Sequence, residues 1–172
     1  LLVLSTIGLY GGGIVFNDIF DLEADTINRP ERVLPRGLVS KDEAILLGSF
    51  MLLAGIGFAF TVSVLSGMLA AVIGVLALTY DKISKHYSIA GPLNMGLCRG
   101  GNLLLGMSIN NDAVFTYWYI GIIPILFIAA ITLTAKKEAS GNNKSAILTA
   151  LLLDAIVVVL FIFIGYKLEF RF

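Results

Sequence analysis

The sequence predicts an all-α fold, a polytopic bundle of transmembrane helices. Of its 172 residues 58% are hydrophobic and only 14% are charged, and the mean hydropathy is +0.92. Soluble domains contain about 25% charged residues, so the lower charged fraction of this chain indicates an integral membrane protein that lies in a lipid bilayer. The net charge is zero and the single cysteine is Cys98, so we expect neither a nucleic-acid partner nor a disulfide framework.

Six apolar segments each approach the length of about 17–25 residues that a helix needs to cross a bilayer. They cover about 1–19, 43–64, 66–81, 90–109, 113–135 and 145–166. Ser40 and Glu43 predict a capping box where the second segment begins. The glycines of 11–13 predict close packing of the first segment against a neighbouring helix. We expect the whole chain, 1–172, to form one membrane domain.

The positions of lysine and arginine predict which side of the membrane each loop faces. The long loops after the first, third and fifth segments hold nine of the twelve basic residues, and the two short turns hold none. Loops rich in lysine and arginine stay on the cytoplasmic side. We therefore expect the long loops to be cytoplasmic, at the inner or plasma membrane if the protein is bacterial.

Three aspartates stand where the first apolar segment ends, in the run from Asn17 to Asp25. Asp18, Asp21 and Asp25 are spaced i, i+3 and i+7, and Asn17 lies four residues before Asp21, so on a helix all four share one face. Mg²⁺ binds such hard oxygens together with substrate phosphate oxygens. The motif predicts a magnesium site for a diphosphate, with these four residues as ligands. The alternative is an acidic helix end that only faces solvent.

The acidic motif continues into a pattern that resembles a known family. Asn28-Arg-Pro30 and Leu34-Pro-x-Gly37 follow it in order, and the whole stretch is similar to the first aspartate-rich motif of the UbiA superfamily of nine-helix intramembrane prenyltransferases. Residues 80–86 look like the tyrosine- and lysine-bearing loop after the family's fourth helix. The resemblance, and a chain that begins with apolar residues and no Met, imply a fragment with about six of nine spans. Residues 93–106 are similar to the UbiA-like EboC branch.

The resemblance implies an enzyme that transfers an alkyl group other than methyl. A prenyl group would pass from a polyprenyl diphosphate to an aromatic or other small acceptor, with Mg²⁺ and cationic side chains stabilising the leaving diphosphate. The implied catalytic residues are Asp18, Asp21, Tyr80 and Lys85. The implied substrate-binding residues are Asn17, Arg29, Arg36, Lys82, Asn94, Arg99, Asn102, Lys136 and Lys137.

Some of these side chains have an equally good structural explanation. Lys82 and Lys85 also suit ordinary cytoplasmic anchors. Arg99 lies mid-span, where an arginine is normally paired or faces a cavity. It would contact either the substrate or Asp154, in an ion pair between helices, and the sequence leaves both open.

The loop 134–144 departs from the family pattern. The family carries a second aspartate-rich motif there, but this loop holds only Glu138 as an acid, beside Lys136 and Lys137. Two ammonium groups can offset the negative charge of a diphosphate, so Lys136 and Lys137 could take the place of a second metal ion. The other interpretation is that the protein no longer turns over a prenyl donor. The alternative function is therefore a non-catalytic UbiA-like protein that binds or exports an isoprenoid or aromatic metabolite. A CDP-alcohol phosphotransferase fits poorly, because no Asp-Gly-x-x-Ala-Arg motif occurs.

Overall fold

All of the described secondary structure is helical, which confirms the predicted fold class. The computed structural model of the chain describes the backbone of 1–138 and 144–167 and the side chains of 1–135 and 147–166. Its α-helices are α1 Leu2–Phe20, α2 Leu22–Asn28, α3 Lys41–Phe60, α4 Val64–Lys82, α5 Ala90–Met107, α6 Asn111–Tyr117, α7 Ile122–Glu138 and α8 Lys144–Lys167. Two 3₁₀ turns, Ser84–His86 and Trp118–Gly121, precede α5 and α7.

Each predicted apolar segment coincides with helix, and most of these helices suit a membrane. Within the described residues five stretches are long and apolar enough to cross one: α1, α3, α4, Asn111–Ala135 and Ile147–Tyr166. The fourth predicted segment forms α5, which is less apolar because it carries Asn94, Arg99 and Asn102. The protein is therefore an integral membrane protein built from a helical bundle.

The chain divides into two compact units, Leu1–Ile83 and Ser84–Phe172. The first contains α1 to α4 and the second contains α5 to α8. The expectation that 1–172 forms one membrane domain stays a prediction.

Glycines set the distance between α1 and α3 in the first unit. A Cβ atom on Gly8 would lie 2.6 Å from the carbonyl oxygen of Met51, and one on Gly55 would lie 2.8 Å from the carbonyl oxygen of Ser5. Early positions of α1 thus face late positions of α3, so the two helices are antiparallel. Gly12 also packs directly on α3, as the glycines of the first segment predict.

Helix α4 runs parallel to α1 in the same unit. A Cβ atom on Gly13 would lie 3.8 Å from the side chain of Ala77. One turn further along both helices, the same register brings Asn17 level with Asp81. The acidic end of α1 and the end of α4 therefore lie on the same side of this unit.

The loop 29–40 is held by local hydrogen bonds. The Glu43 amide donates to Ser40 Oγ at 3.2 Å and the Ser40 amide donates to Glu43 Oε2 at 2.8 Å, which confirms the predicted capping box of α3. Gly37 has a φ of +69°, a left-handed conformation that favours glycine. Its amide donates to the carbonyl of Leu34 at 3.0 Å and closes a turn.

In the second unit, small residues bring α5 and α7 together. A Cβ atom on Gly100 would lie 2.7 Å from the carbonyl oxygen of Gly121, and one on Gly96 would collide with the carbonyl of Ile125. The 3₁₀ turn Trp118–Gly121 interrupts the fifth predicted segment just before α7. Pro124 explains the interruption, because it has no N–H to donate to the carbonyl four residues earlier.

Candidate functional site

The acidic motif lies across a bend between two helices. Helix α1 ends at Phe20, and Asp21, with φ −92° and ψ 1°, links it to α2. The Asp21 amide still donates to the carbonyl of Asn17 at 3.0 Å, and the Asp25 amide donates to that of Asp21 at 2.8 Å. The predicted single helical face is therefore divided: Asp18 lies on α1, Asp21 at the junction and Asp25 on α2.

Arg32 joins two of the three carboxylates. Its Nη1 atom donates to Asp18 Oδ1 at 3.0 Å and to Asp25 Oδ2 at 2.7 Å. The Asp25 side chain is only 11% exposed, whereas those of Asp18 and Arg32 are 43% and 34% exposed. Because one nitrogen makes both bonds, the two carboxylates stand on either side of a single cationic atom.

All three carboxylates act electrostatically on this guanidinium. The hydrogen bond to Asp25 is the largest cause that raises the pKa of Arg32 above its ordinary value. The negative charges of Asp25, Asp18 and Asp21 raise it further, whereas desolvation lowers it. The acidic motif is therefore an environment that stabilises a cation.

Turns of the loop 29–40 place Arg32 beside the motif. The Arg29 amide donates to the carbonyl of Asp25 at 2.8 Å, and the Arg32 amide donates to that of Arg29 at 3.1 Å. The chain thus folds back directly after α2. Arg29 and Arg36, the predicted diphosphate-binding arginines of this loop, are both exposed, and it is Arg32 that contacts the carboxylates.

The predicted set of metal ligands is only partly assembled. Among the described residues, no three Asp, Glu, His or Cys side chains come close enough to hold one metal ion. The donor atoms nevertheless suit Mg²⁺: carboxylate oxygens of Asp18 and Asp25 flank a position already held by a cationic nitrogen, and phosphate oxygens or water complete such a site. The metal role of Asn17, Asp18, Asp21 and Asp25 stays a prediction.

Two residues at this end of the first unit are not singled out by the sequence motifs. Arg32 is one of several basic residues in a long loop, although its place seven residues after Asp25 puts it within reach of the motif. Asp81 is 6% exposed at the end of α4, level with Asn17. The sequence feature that could have identified Asp81 is an acidic residue directly after Tyr80, at the end of a membrane span. Tyr80 itself is half-buried and Lys82 is exposed.

In the second unit, Asn94 supports the turn that carries Lys85. Asn94 is 7% exposed, and its Nδ2 donates to Ser84 Oγ at 3.0 Å. The thiol of Cys98 donates weakly to Asn94 Oδ1 at 3.8 Å. The amide of Asn94 thus holds the 3₁₀ turn Ser84–His86 to α5, and its contact with a substrate stays a prediction.

The remaining predicted residues lie on α5, α7 and α8. Arg99 is exposed and Asn102 is half-buried. Within the part of the chain that the structure describes, Asp154 Oδ1 is buried without a hydrogen-bond partner. Whether Arg99 pairs with Asp154 or contacts the substrate stays a prediction. The side chains of Lys136 and Lys137 fall outside the described residues.

The fold and the site define a polytopic helical membrane protein with a cation-holding acidic motif where a span ends. The chain belongs to the UbiA prenyltransferase family, whose sequence model matches residues 1–168. It is 34% identical to the digeranylgeranylglyceryl phosphate synthase of Methanosarcina mazei over 128 residues, 74% of this chain and 43% of that protein.

A relative of the same name from Sulfurisphaera tokodaii covers more of the chain. It is 34% identical over 157 residues, 87% of this chain and 54% of that protein. The chain spans about half the length of the curated relatives it matches. No solved structure matches it.

Proposed function

We propose that the protein is a Mg²⁺-dependent prenyltransferase that moves a prenyl group from a polyprenyl diphosphate to a small acceptor in the membrane. Membership of the UbiA family supports intramembrane prenyl transfer. The structural observation that carries the proposal is the single cationic nitrogen of Arg32 between the carboxylates of Asp18 and Asp25. Oxygens arranged around one positive atom suit a divalent cation that bridges protein and diphosphate.

The names of the relatives favour a glyceryl phosphate acceptor over an aromatic one. Digeranylgeranylglyceryl phosphate contains two geranylgeranyl groups on one glyceryl phosphate. Making such a product requires a geranylgeranyl donor and a hydroxyl acceptor. We therefore propose geranylgeranyl diphosphate and a prenylated glyceryl phosphate as the first substrates to test. The similarity of residues 93–106 to the EboC branch stays a prediction. It does not indicate which acceptor the protein uses.

The proposed transfer breaks one C–O bond and forms another. The allylic C–O bond of the donor breaks, and the diphosphate leaves with the electron pair. The acceptor oxygen then forms the new ether bond with the allylic carbon, and its proton passes to solvent. Mg²⁺, when bound, supplies positive charge that stabilises the leaving diphosphate. Asp18 and Asp25 would hold it, with Asp21 and Asn17 as further oxygen donors.

Cationic side chains at the ends of the spans would assist the metal. Arg29 and Arg36 are exposed on the loop, where a guanidinium binds phosphate oxygens in a bidentate manner. Lys82 and Lys85 would act as point charges, and Tyr80 as a hydrogen-bond donor to the diphosphate. The predicted cytoplasmic position of these loops agrees with a water-soluble diphosphate group that approaches from that side.

A turnover assay separates this function from the non-catalytic alternative. The purified protein in lipid nanodiscs is incubated with radiolabelled geranylgeranyl diphosphate, Mg²⁺ and either a prenylated glyceryl phosphate or an aromatic acceptor. We expect release of diphosphate and a labelled ether product with the glyceryl phosphate. Tight donor binding without release of diphosphate, with any acceptor, would instead support the alternative of a UbiA-like carrier.

A further inference from the structure

Arg32 occupies the position in which the proposed function requires a metal ion. We propose that Arg32 is an internal counter-cation, which a divalent metal displaces from Asp18 and Asp25 and which thereby couples metal binding to release of the loop 29–40. The inference rests on the proposed function, because it takes the acidic motif to be the metal site.

The first step in the displacement is geometric. Nη1 of Arg32 lies 2.7 Å from Asp25 Oδ2 and 3.0 Å from Asp18 Oδ1, so it uses lone pairs of both carboxylates. Mg²⁺ binds oxygen at about 2.0–2.1 Å and demands nearly ideal octahedral geometry. A metal ion held by Asp18 and Asp25 would need the space and the lone pairs that the guanidinium now uses. The two cations also repel each other, so they do not share the position.

The second step is mechanical. The backbone of Arg32 lies between two turns: its amide donates to the carbonyl of Arg29 at 3.1 Å, and its carbonyl accepts from the amide of Arg36 at 3.0 Å. The Arg29 amide in turn donates to the carbonyl of Asp25. The ion pairs of Arg32 thus connect these turns to the carboxylates of Asp18 and Asp25. Once they break, the loop loses this connection to the acidic motif.

The third step concerns what the displaced side chain does. A guanidinium binds phosphate oxygens as well as carboxylates, and both through paired N–H groups. When the metal arrives, Arg32 exchanges a carboxylate partner for the diphosphate that accompanies the metal. Arg32 is therefore a positioning residue. It holds the carboxylates of Asp18 and Asp25 together until a metal ion binds, and it then moves away from them.

Metal binding without any prenyl diphosphate tests the inference directly. Mn²⁺ affinity is measured by electron paramagnetic resonance on the purified protein in nanodiscs. We expect Arg32→Gln to bind Mn²⁺ about 5- to 50-fold more tightly than the wild type, because no ion pair must be broken. Lys41→Gln removes one exposed charge just beyond the same loop and is the matched control, with a change of about twofold or less.

The outcomes separate the inference from the proposed function. If wild type and Arg32→Gln bind Mn²⁺ equally, or the variant binds it more weakly, Arg32 is not a displaced counter-cation and the inference fails alone. If neither protein binds Mn²⁺, the metal site of the proposed function fails, and the inference fails with it. A gain in affinity of the same size in Lys41→Gln would show a general charge effect and would also overturn the inference.

A second measurement needs no variant and so does not depend on folding of a mutant. Trypsin must bind the guanidinium of Arg32 in its own specificity pocket, so we expect cleavage after Arg32 only when this group has left Asp18 and Asp25. In the wild type, Mn²⁺ should accelerate cleavage between Arg32 and Val33 several-fold, while cleavage after Lys41 keeps its rate. An unchanged or slower cleavage after Arg32 in the presence of Mn²⁺ contradicts the proposed release.

Discussion

Asp18 and Asp25, which lie on two consecutive helices, accept hydrogen bonds from the same atom, Nη1 of Arg32, at 3.0 and 2.7 Å. Asp21, with φ −92° and ψ 1°, links the two helices, and the i to i−4 backbone hydrogen bonds continue through it. A loop arginine thereby neutralises part of an acidic motif at the end of a membrane span.

Asp21→Ala should weaken the Mg²⁺-dependent binding of a non-hydrolysable geranylgeranyl diphosphate analogue. Asp21 lies at the junction of α1 and α2, and its negative charge adds to the field around the cation. We expect the dissociation constant with Mg²⁺ to rise at least about tenfold, which is about 1.4 kcal/mol. Isothermal titration measures it. Glu23→Ala, an exposed acid on α2, is the control and should leave binding unchanged. Unchanged affinity in Asp21→Ala would remove this residue from the site.

Asp81→Asn should weaken Mn²⁺ binding about 3- to 10-fold without loss of the fold. The substitution keeps the size of a side chain that is 6% exposed but removes its charge, which lies level with Asn17. Screening by solvent is weak for such a buried group. The control is Asp42→Asn, which removes an exposed carboxylate at the start of α3. Equal effects of the two substitutions on Mn²⁺ affinity would show that the charge of Asp81 acts on the metal ion no more than an exposed carboxylate does.

The pair Asn94 and Ser84 should contribute a measurable coupling energy. Their hydrogen bond, 3.0 Å long and buried, joins α5 to the turn that carries Lys85. Asn94→Ala leaves a buried hydroxyl without its donor and should lower the free energy of unfolding by about 1–3 kcal/mol. A double-mutant cycle with Ser84→Ala isolates the pair, and the double variant should cost less than the sum of the single variants. Simple additivity would mean that the bond does not stabilise the turn.

Gly8→Ala should destabilise the first unit, whereas Gly57→Ala should not. A Cβ atom on Gly8 would lie 2.6 Å from a backbone oxygen of α3, and backbone cannot rotate away. We expect a loss of about 1–3 kcal/mol, as overpacking of a core typically costs. Gly57, on α3, has no atom within 4 Å of its added Cβ, so alanine there should stabilise the helix by about 0.5–1 kcal/mol. Thermal unfolding in detergent measures both. A stabilising Gly8→Ala would contradict the close contact of α1 and α3.

Much of the fold is visible in the sequence because hydropathy and capping are local properties. The apolar segments coincide with helices, and the capping box at Ser40 forms as its sequence predicts. The acidic motif and its family were also identifiable, since Asn17 to Gly37 carries a specific order of residue types. The interruption at Trp118–Gly121 was not predicted, although Pro124 offered a local reason for it.

Hydropathy and local motifs are sufficient to identify a membrane helical bundle of the UbiA family with an acidic motif where its first span ends. Which side chains meet at that motif depends on how the helices and the loop pack in three dimensions. Arg32 reaches Asp18 and Asp25 through turns of the loop, and Asp81 reaches the level of Asn17 through the parallel packing of α4 on α1. Spacing along a chain fixes the face of one helix, but contacts between elements depend on bends, loop closure and packing distance, which no local pattern encodes.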